Sequence, residues 1–149
     1  MPDTTPLTTA VARLADRLRA LPESALRRGA EAQGRSLARE LAYRAQRLEF
    51  PEAEPLELPD AGPFAVGDQL AVAGHDLVAA LREVDAAGAA AVPTAAGATE
   101  AAETAREFGA PEEPYGPGPA VDVAGEIESA LALVERTERL ISGAVTSRR

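Results

Sequence analysis

The side chains in this sequence that could do chemistry are few and scattered. His75 is the only histidine and cysteine is absent, which excludes disulfides, thiol nucleophiles and thiolate metal ligands. In the helical pattern described below, His75 falls on a polar side with Asp68 and Arg82, opposite the apolar stripe. A solitary exposed histidine without a nucleophile or a second ligand is a poor general base and a poor metal ligand. We therefore expect no catalytic residue, no metal site and no cofactor, in a protein that is not an enzyme.

The basic side chains are concentrated in one stretch, and all fifteen in the chain are arginine. Six lie within 21 residues: Arg27, Arg28, Arg35, Arg39, Arg44 and Arg47. Several have a glutamate one helical turn away, which is typical of a solvent-exposed face with ion pairs. The alternative is that Arg28, Arg35 and Arg39 bind a small anion or a nucleotide, since guanidinium groups donate paired hydrogen bonds to phosphate. The net charge of −9 and the single nearby aromatic, Tyr43, argue against nucleic acid as a partner.

The apolar composition predicts helices with a thin core. Leucine, isoleucine, valine and phenylalanine together make up 21% of the chain, only just above the level at which chains tend to be disordered. The 46% hydrophobic content is inflated by 34 alanines, which favour helices but bury little area each. Helices of this kind often complete themselves against a partner protein or against a second copy of the same chain.

Charge and composition also indicate the cellular setting. Residues 1–49 carry a net charge of +3 and residues 50–149 one of −12, so either half could present its charge to a partner. Arginine in place of lysine, with abundant alanine, glycine and proline, is typical of a GC-rich bacterial genome. The amino-terminal residues lack the features of a secretory signal, and no apolar run is long enough to span a membrane. We expect a cytoplasmic bacterial protein.

Four helices account for most of the apolar spacing. The first begins at Thr5 and Pro6 and ends before Pro22, since proline is excluded from a helix interior. The second runs without a break from about Glu23 to Glu49 and forms an αα-hairpin with the first. Residues 50–63 carry four prolines and predict an extended linker, with Phe50, Leu56 and Leu58 lying back on the bundle.

The third helix, Phe64–Ala87, has the longest apolar stripe, with residues three and four apart on one face: Val66, Leu70, Ala73, Leu77, Ala80, Leu81 and Val84. Residues 88–120 are rich in alanine, glycine and proline and predict a flexible linker. Asp122 is expected to cap the fourth helix, whose apolar face is broader than a two-stranded seam requires. That breadth allows the fourth helix to pack on its own chain or on a partner.

These patterns predict an all-α, four-helix bundle-like protein: a hairpin and central helix in residues 1–87, a flexible linker in 88–120 and a carboxy-terminal helix in 121–149. The predicted function is that of a small adaptor or regulator that acts through helix–helix contacts with a protein partner or with itself as a homodimer. The expected partner-binding residues are Ile127, Val134, Leu140 and Ile141. The alternative function is an anion- or nucleotide-sensing regulator that uses the arginine-rich hairpin.

Overall fold

The computed structural model describes residues 1–90 and 120–147, and this part of the chain is entirely helical or irregular, without strands. Four long helices pack side by side, which confirms the predicted all-α bundle. The predicted linker at residues 88–120 falls almost wholly outside the described residues. No helix within the described ranges is both long enough and apolar enough to cross a membrane.

Helix α1 spans Thr5–Ala20 and follows the predicted boundaries closely. The Asp3 carboxylate accepts a hydrogen bond from the backbone N–H of Thr5 at 2.9 Å, and Pro6 occupies the first turn, where its missing donor costs nothing. The helix stops one residue before the Leu21–Pro22 turn. Its 4-3 spaced leucines and valine are buried, with Leu7 and Leu14 fully inaccessible.

The second helical region is interrupted, so the prediction of one unbroken helix is wrong. A single turn, Glu23–Ala25, leads into a π-helical turn, Leu26–Ala30, and only then does helix α2 run regularly over Glu31–Glu49. Gly29 causes the break: its φ of 128° lies in a region that residues with a Cβ rarely adopt. The sequence signal was that glycine inside an otherwise helical pattern.

Residues 50–62 connect two helices that run in the same direction. Gly34, near the start of α2, lies beside Val66 at the start of the next helix, and Gln46, near the end of α2, lines the same depression as Asp76, farther along that helix. The chain must therefore return along the full length of α2 before the next helix starts. Helix α2 is about 28 Å long at 1.5 Å per residue, a span that thirteen extended residues can cover. This explains why the connection is proline-rich and extended, and we call residues 50–62 the strap.

Side-chain amides hold the strap against the helices. The Gln46 amide donates to the Leu56 carbonyl at 3.0 Å and accepts from the Leu56 N–H at 2.7 Å, and the Gln69 amide donates to the Pro59 carbonyl at 2.8 Å. Leu58 packs on the core, as expected. Phe50 and Leu56 do not lie back on the bundle, contrary to expectation: they remain 62% and 81% exposed.

A 3₁₀ turn, Pro63–Ala65, opens the third helix, α3, which spans Val66–Ala90 and runs three residues beyond the predicted end. Its predicted stripe is buried as far as Leu81, and Val84 is partly buried. Helix α3 packs between α1 and α2. It runs antiparallel to α1, as the Arg82–Thr4 and Arg19–Asp68 contacts at opposite ends of the pair show.

Helix α4 spans Val123–Thr146, and Asp122 caps it as predicted by accepting a hydrogen bond from the Gly125 N–H at 3.0 Å. It packs against α1 and α2 on the side opposite α3, parallel to α1 and antiparallel to α2. The apolar stripes of all four helices therefore meet in one core within a single chain. Its largest fully buried members are Leu7, Leu14, Leu26, Leu41, Val66, Leu70, Leu77, Leu81, Val134 and Ile141.

Candidate protein-binding groove

A surface depression with a volume of about 940 Å³ lies over the outer face of α2, between α4 and the strap. We call it the α2–α4 groove. It is open rather than enclosed, and helix α2 forms its floor. The exposed side chains of α2 in this floor are spaced four, three and four apart: Ala32, Ser36, Arg39 and Tyr43. Two of these side chains are small, so a rod-shaped ligand can approach the α2 backbone closely there.

Helix α4 supplies one wall of the groove. Leu133, Arg136 and Leu140 line it at spacings of three and four, one turn above another. Leu140 is 46% exposed, whereas its neighbour Ile141 is fully buried, because adjacent helical residues point about 100° apart. The wall is therefore the outward edge of the same helix whose inward face closes the core.

The strap supplies the opposite wall with Glu54, Leu56 and Glu57. Leu56 stands 81% exposed although its backbone is held on both sides by Gln46. Tyr43, on the floor, is 49% exposed. The groove thus brings together three of the large apolar side chains that the fold leaves in solvent, one from each of its three elements.

Arg44 fixes the spacing between α2 and α4 at one end of the groove. Its guanidinium donates to Glu40 on its own helix at 2.8 Å and, across the interface, to Glu126 at 2.7 Å and Ser129 at 3.0 Å. Partial burial acts to lower the pKa of Arg44, but its hydrogen bonds with Glu40 and the charge of Glu126 outweigh this and raise that pKa. Arg44 therefore bridges α2 and α4 and has a structural role.

The three arginines of the predicted anion site do not converge. Arg35 and Arg39 line the groove, but Arg28 is exposed on the π-helical turn and lies outside it. Arg35 is already paired with Glu31 and, at 3.0 Å, with Asp60 of the strap, although its buried Nε has no hydrogen-bond partner among the described residues. Arg136, which the sequence did not single out, joins Arg39 in the groove instead.

The four residues expected to bind a partner are divided by the fold. Ile127, Val134 and Ile141 are 7%, 0% and 0% exposed and contact the other helices of their own chain. Only Leu140 is accessible, and it lies in the groove. The 4-3 spacing correctly marked the inward face of α4, but it did not show that α1 and α2 would cover that face.

Tyr43, Leu56 and Arg136 are groove residues that the sequence did not mark as partner-binding. The regular spacing of Ala32, Ser36, Arg39 and Tyr43 is visible in the sequence. The sequence does not show that the strap runs beside α2, and only this arrangement makes these residues the floor of a groove.

His75 is exposed on α3 with its Nδ1 3.9 Å from Asp76, away from the groove. Within residues 1–90 and 120–147, no three histidine, cysteine, aspartate or glutamate side chains are grouped closely enough to hold a metal ion. Comparison of the chain with protein-family models, with curated proteins and with solved structures found no match.

Proposed function

We propose that this chain is a non-catalytic adaptor or regulatory protein of the bacterial cytoplasm that binds an amphipathic helix of a partner protein in the α2–α4 groove. The observation that carries the proposal is the convergence of Tyr43, Leu56 and Leu140 on one open groove, outside a core that the chain already closes by itself. Isolated exposed apolar residues are ordinary on protein surfaces, whereas apolar side chains gathered in a groove with polar edges are typical of interaction sites.

The shape of the groove favours a helix over other ligands. Its floor and its α4 wall each present side chains at alternating spacings of three and four, the pattern into which the ridges of another helix fit. Ala32 and Ser36 leave room at the end of the groove where Leu140 provides one apolar anchor, and Tyr43 provides another at the opposite end, because α4 runs antiparallel to α2. A two- or three-turn helix can contact all of these at once.

Site-specific photo-crosslinking in cells of the native host tests the proposal. p-Benzoylphenylalanine replaces Tyr43, and a matched probe replaces Val72, which is 60% exposed on α3 away from the groove. We expect a discrete protein adduct, identified by mass spectrometry, from position 43 only, and its loss when Leu140→Asp is added. An adduct pattern shared by both positions, or one insensitive to Leu140→Asp, would refute the groove as the binding site.

Association through the inward face of α4 requires a different state of the bundle. Since Ile127, Val134 and Ile141 fill the core of one chain, a homodimer built on them must exchange α4 between copies. Size-exclusion chromatography with light scattering at high concentration tests the exchange of α4. A dimer that persists in Arg136→Glu supports exchange, and a strict monomer leaves the groove as the proposed interface.

An anion- or nucleotide-sensing role is the second proposal, and Arg39 and Arg136 support it because neither forms an ion pair with a described residue. The acidic strap wall argues against a multiply charged anion. Thermal denaturation in the presence of a panel of nucleotides and phosphate tests the anion-sensing role against the helix-binding role. A saturable, salt-sensitive rise in Tm that is lost in Arg39→Ala and retained in Arg28→Ala would favour this role.

A further inference from the structure

The charges around the α2–α4 groove are divided between its two sides. Arg39 on the floor and Arg136 on the α4 wall form no ion pair within the described parts of the chain. The remaining floor and wall cations are accounted for, because Arg35 is paired with Glu31 and Asp60 and Arg44 bridges Glu40 to Glu126. Two guanidinium groups are therefore available to a ligand on the α4 side.

The strap side of the groove carries the opposite charge. Glu54 and Glu57 flank the exposed Leu56, and neither forms an ion pair with a described residue. A polyanion such as nucleic acid would meet these carboxylates as soon as it entered the groove, and a like-charge contact of this kind is unfavourable. A ligand that satisfies both sides must carry its negative charge on one edge only.

We propose that the partner helix is asymmetric in charge, an inference that rests on the proposed helix-binding function. Carboxylates lie along the edge that faces α4, apolar anchors contact Tyr43 and Leu140, and neutral or basic side chains lie along the edge that faces the strap. Arg39 and Arg136 would then hold the carboxylates of consecutive turns of that helix, since residues three or four apart share an edge. The acidic strap sets the direction in which the helix lies, because reversing it would bring carboxylates against Glu54 and Glu57.

Synthetic helices test the charge requirement on the full-length chain. The acidic probe is an acetylated, amidated and fluorescently labelled 18-residue peptide with leucines at 4-3 spacing, glutamates on one edge and arginines on the other, so that both probes can present arginine to the strap and differ only on the edge that faces α4. The basic probe has arginine in place of each glutamate. We expect the acidic probe to bind at least tenfold more tightly by fluorescence anisotropy, with an advantage that shrinks as salt rises.

A charge reversal in the groove provides the decisive arm. Arg136→Glu should weaken the acidic probe at least tenfold and strengthen the basic one, which a mere loss of stability would not do. Arg139→Glu is the matched control: it makes the same change on the same helix, outside the groove, and should alter neither affinity more than twofold. Circular dichroism of both variants checks that they are folded.

Three outcomes would overturn the inference. Equal binding of both probes, with loss of both in Leu140→Asp, would leave the helix-binding function standing but refute the charge asymmetry. Absence of binding by either probe at millimolar concentration would refute the asymmetry as well, while the crosslinking at position 43 decides the function separately. A dimer of the chain that Arg136→Glu dissociates would make the occupant a second copy.

Discussion

The helices of this bundle are joined differently at the α1–α3 interface and at the α2–α4 interface. Between α1 and α3, glycines remove the side chains that would hold the helices apart: a Cβ on Gly67 would lie 2.9 Å from the Ala15 carbonyl, and one on Gly74 would overlap Val11. Between α2 and α4, the long Arg44 side chain reaches across to Glu126. Small residues close an interface completely, whereas a polar bridge joins two helices and leaves an open groove beside it.

This contrast explains why a chain poor in large apolar residues still forms a closed core. Where two helices approach closely, alanine side chains can fill the space between them, which larger side chains fill in more widely spaced pairs. Dispersion contacts depend on distance, so these small side chains still stabilise the core. Ala15 of α1 is fully buried, and Ala73 and Ala80 of α3 are 2% and 1% exposed. The apolar side chains left over on the α2–α4 side are then available for a different purpose, and we propose that this is binding.

The largest predicted effect separates the inward and outward edges of α4. Ile141→Ala removes a fully buried side chain and should lower the free energy of unfolding by about 3 kcal/mol. Leu140→Ala, one residue earlier and 46% exposed, should cost less than about 1 kcal/mol. Urea denaturation followed by circular dichroism measures both. Similar losses would mean that α4 does not pack through the face that contacts α1 and α2.

The next effect tests the closed side of the bundle. Gly74→Ala places a methyl group against Val11, and such overpacking should destabilise the protein by about 2 kcal/mol despite the better helix propensity of alanine. Gly143→Ala is the matched control, because nothing lies within 4 Å of its new Cβ. The control should stabilise the protein by about 0.5 kcal/mol. A stabilising Gly74→Ala would show that the α1–α3 contact is looser than described.

A smaller effect tests the groove side, where the strap is held by amides. Gln46→Ala removes both hydrogen bonds to the Leu56 backbone and should cost about 1 kcal/mol, while Gln69→Ala removes a single bond and should cost less. Hydrogen exchange at the Leu56 N–H should accelerate in Gln46→Ala and change little in Gln69→Ala. Unchanged exchange would mean that other contacts hold this wall of the groove.

The sequence was sufficient for α1, α3, α4 and most of the core, but not for the break at Gly29 or for the groove. Helical periodicity marks which residues of α1, α3 and α4 face inward, since one face of each must be covered. It does not indicate which neighbour covers that face, so it predicts that Ile127 and Val134 bind a partner, whereas both lie in the core of their own chain. The groove depends on the parallel course of α2 and α3, which forces residues 50–62 back along α2.

The smallest predicted effect lies at the start of α1, on the closed side of the bundle, and depends on pH. Hydrogen bonds from the Thr5 side chain and backbone lower the pKa of Asp3 below its ordinary value near 3.8, so its ionised form is stabilised by folding. Its contribution is present above pH 4 and disappears as the pH falls through the lowered pKa. Asp3→Asn, whose side chain does not titrate, should therefore be slightly less stable than the wild type at pH 7, and the difference should vanish near pH 2.

Equilibrium denaturation at both pH values measures the difference. A difference that persists at pH 2 would mean that Asp3 acts through the shape of its side chain rather than through its charge, and this end of α1 would then be held mainly by the Arg82–Thr4 hydrogen bonds.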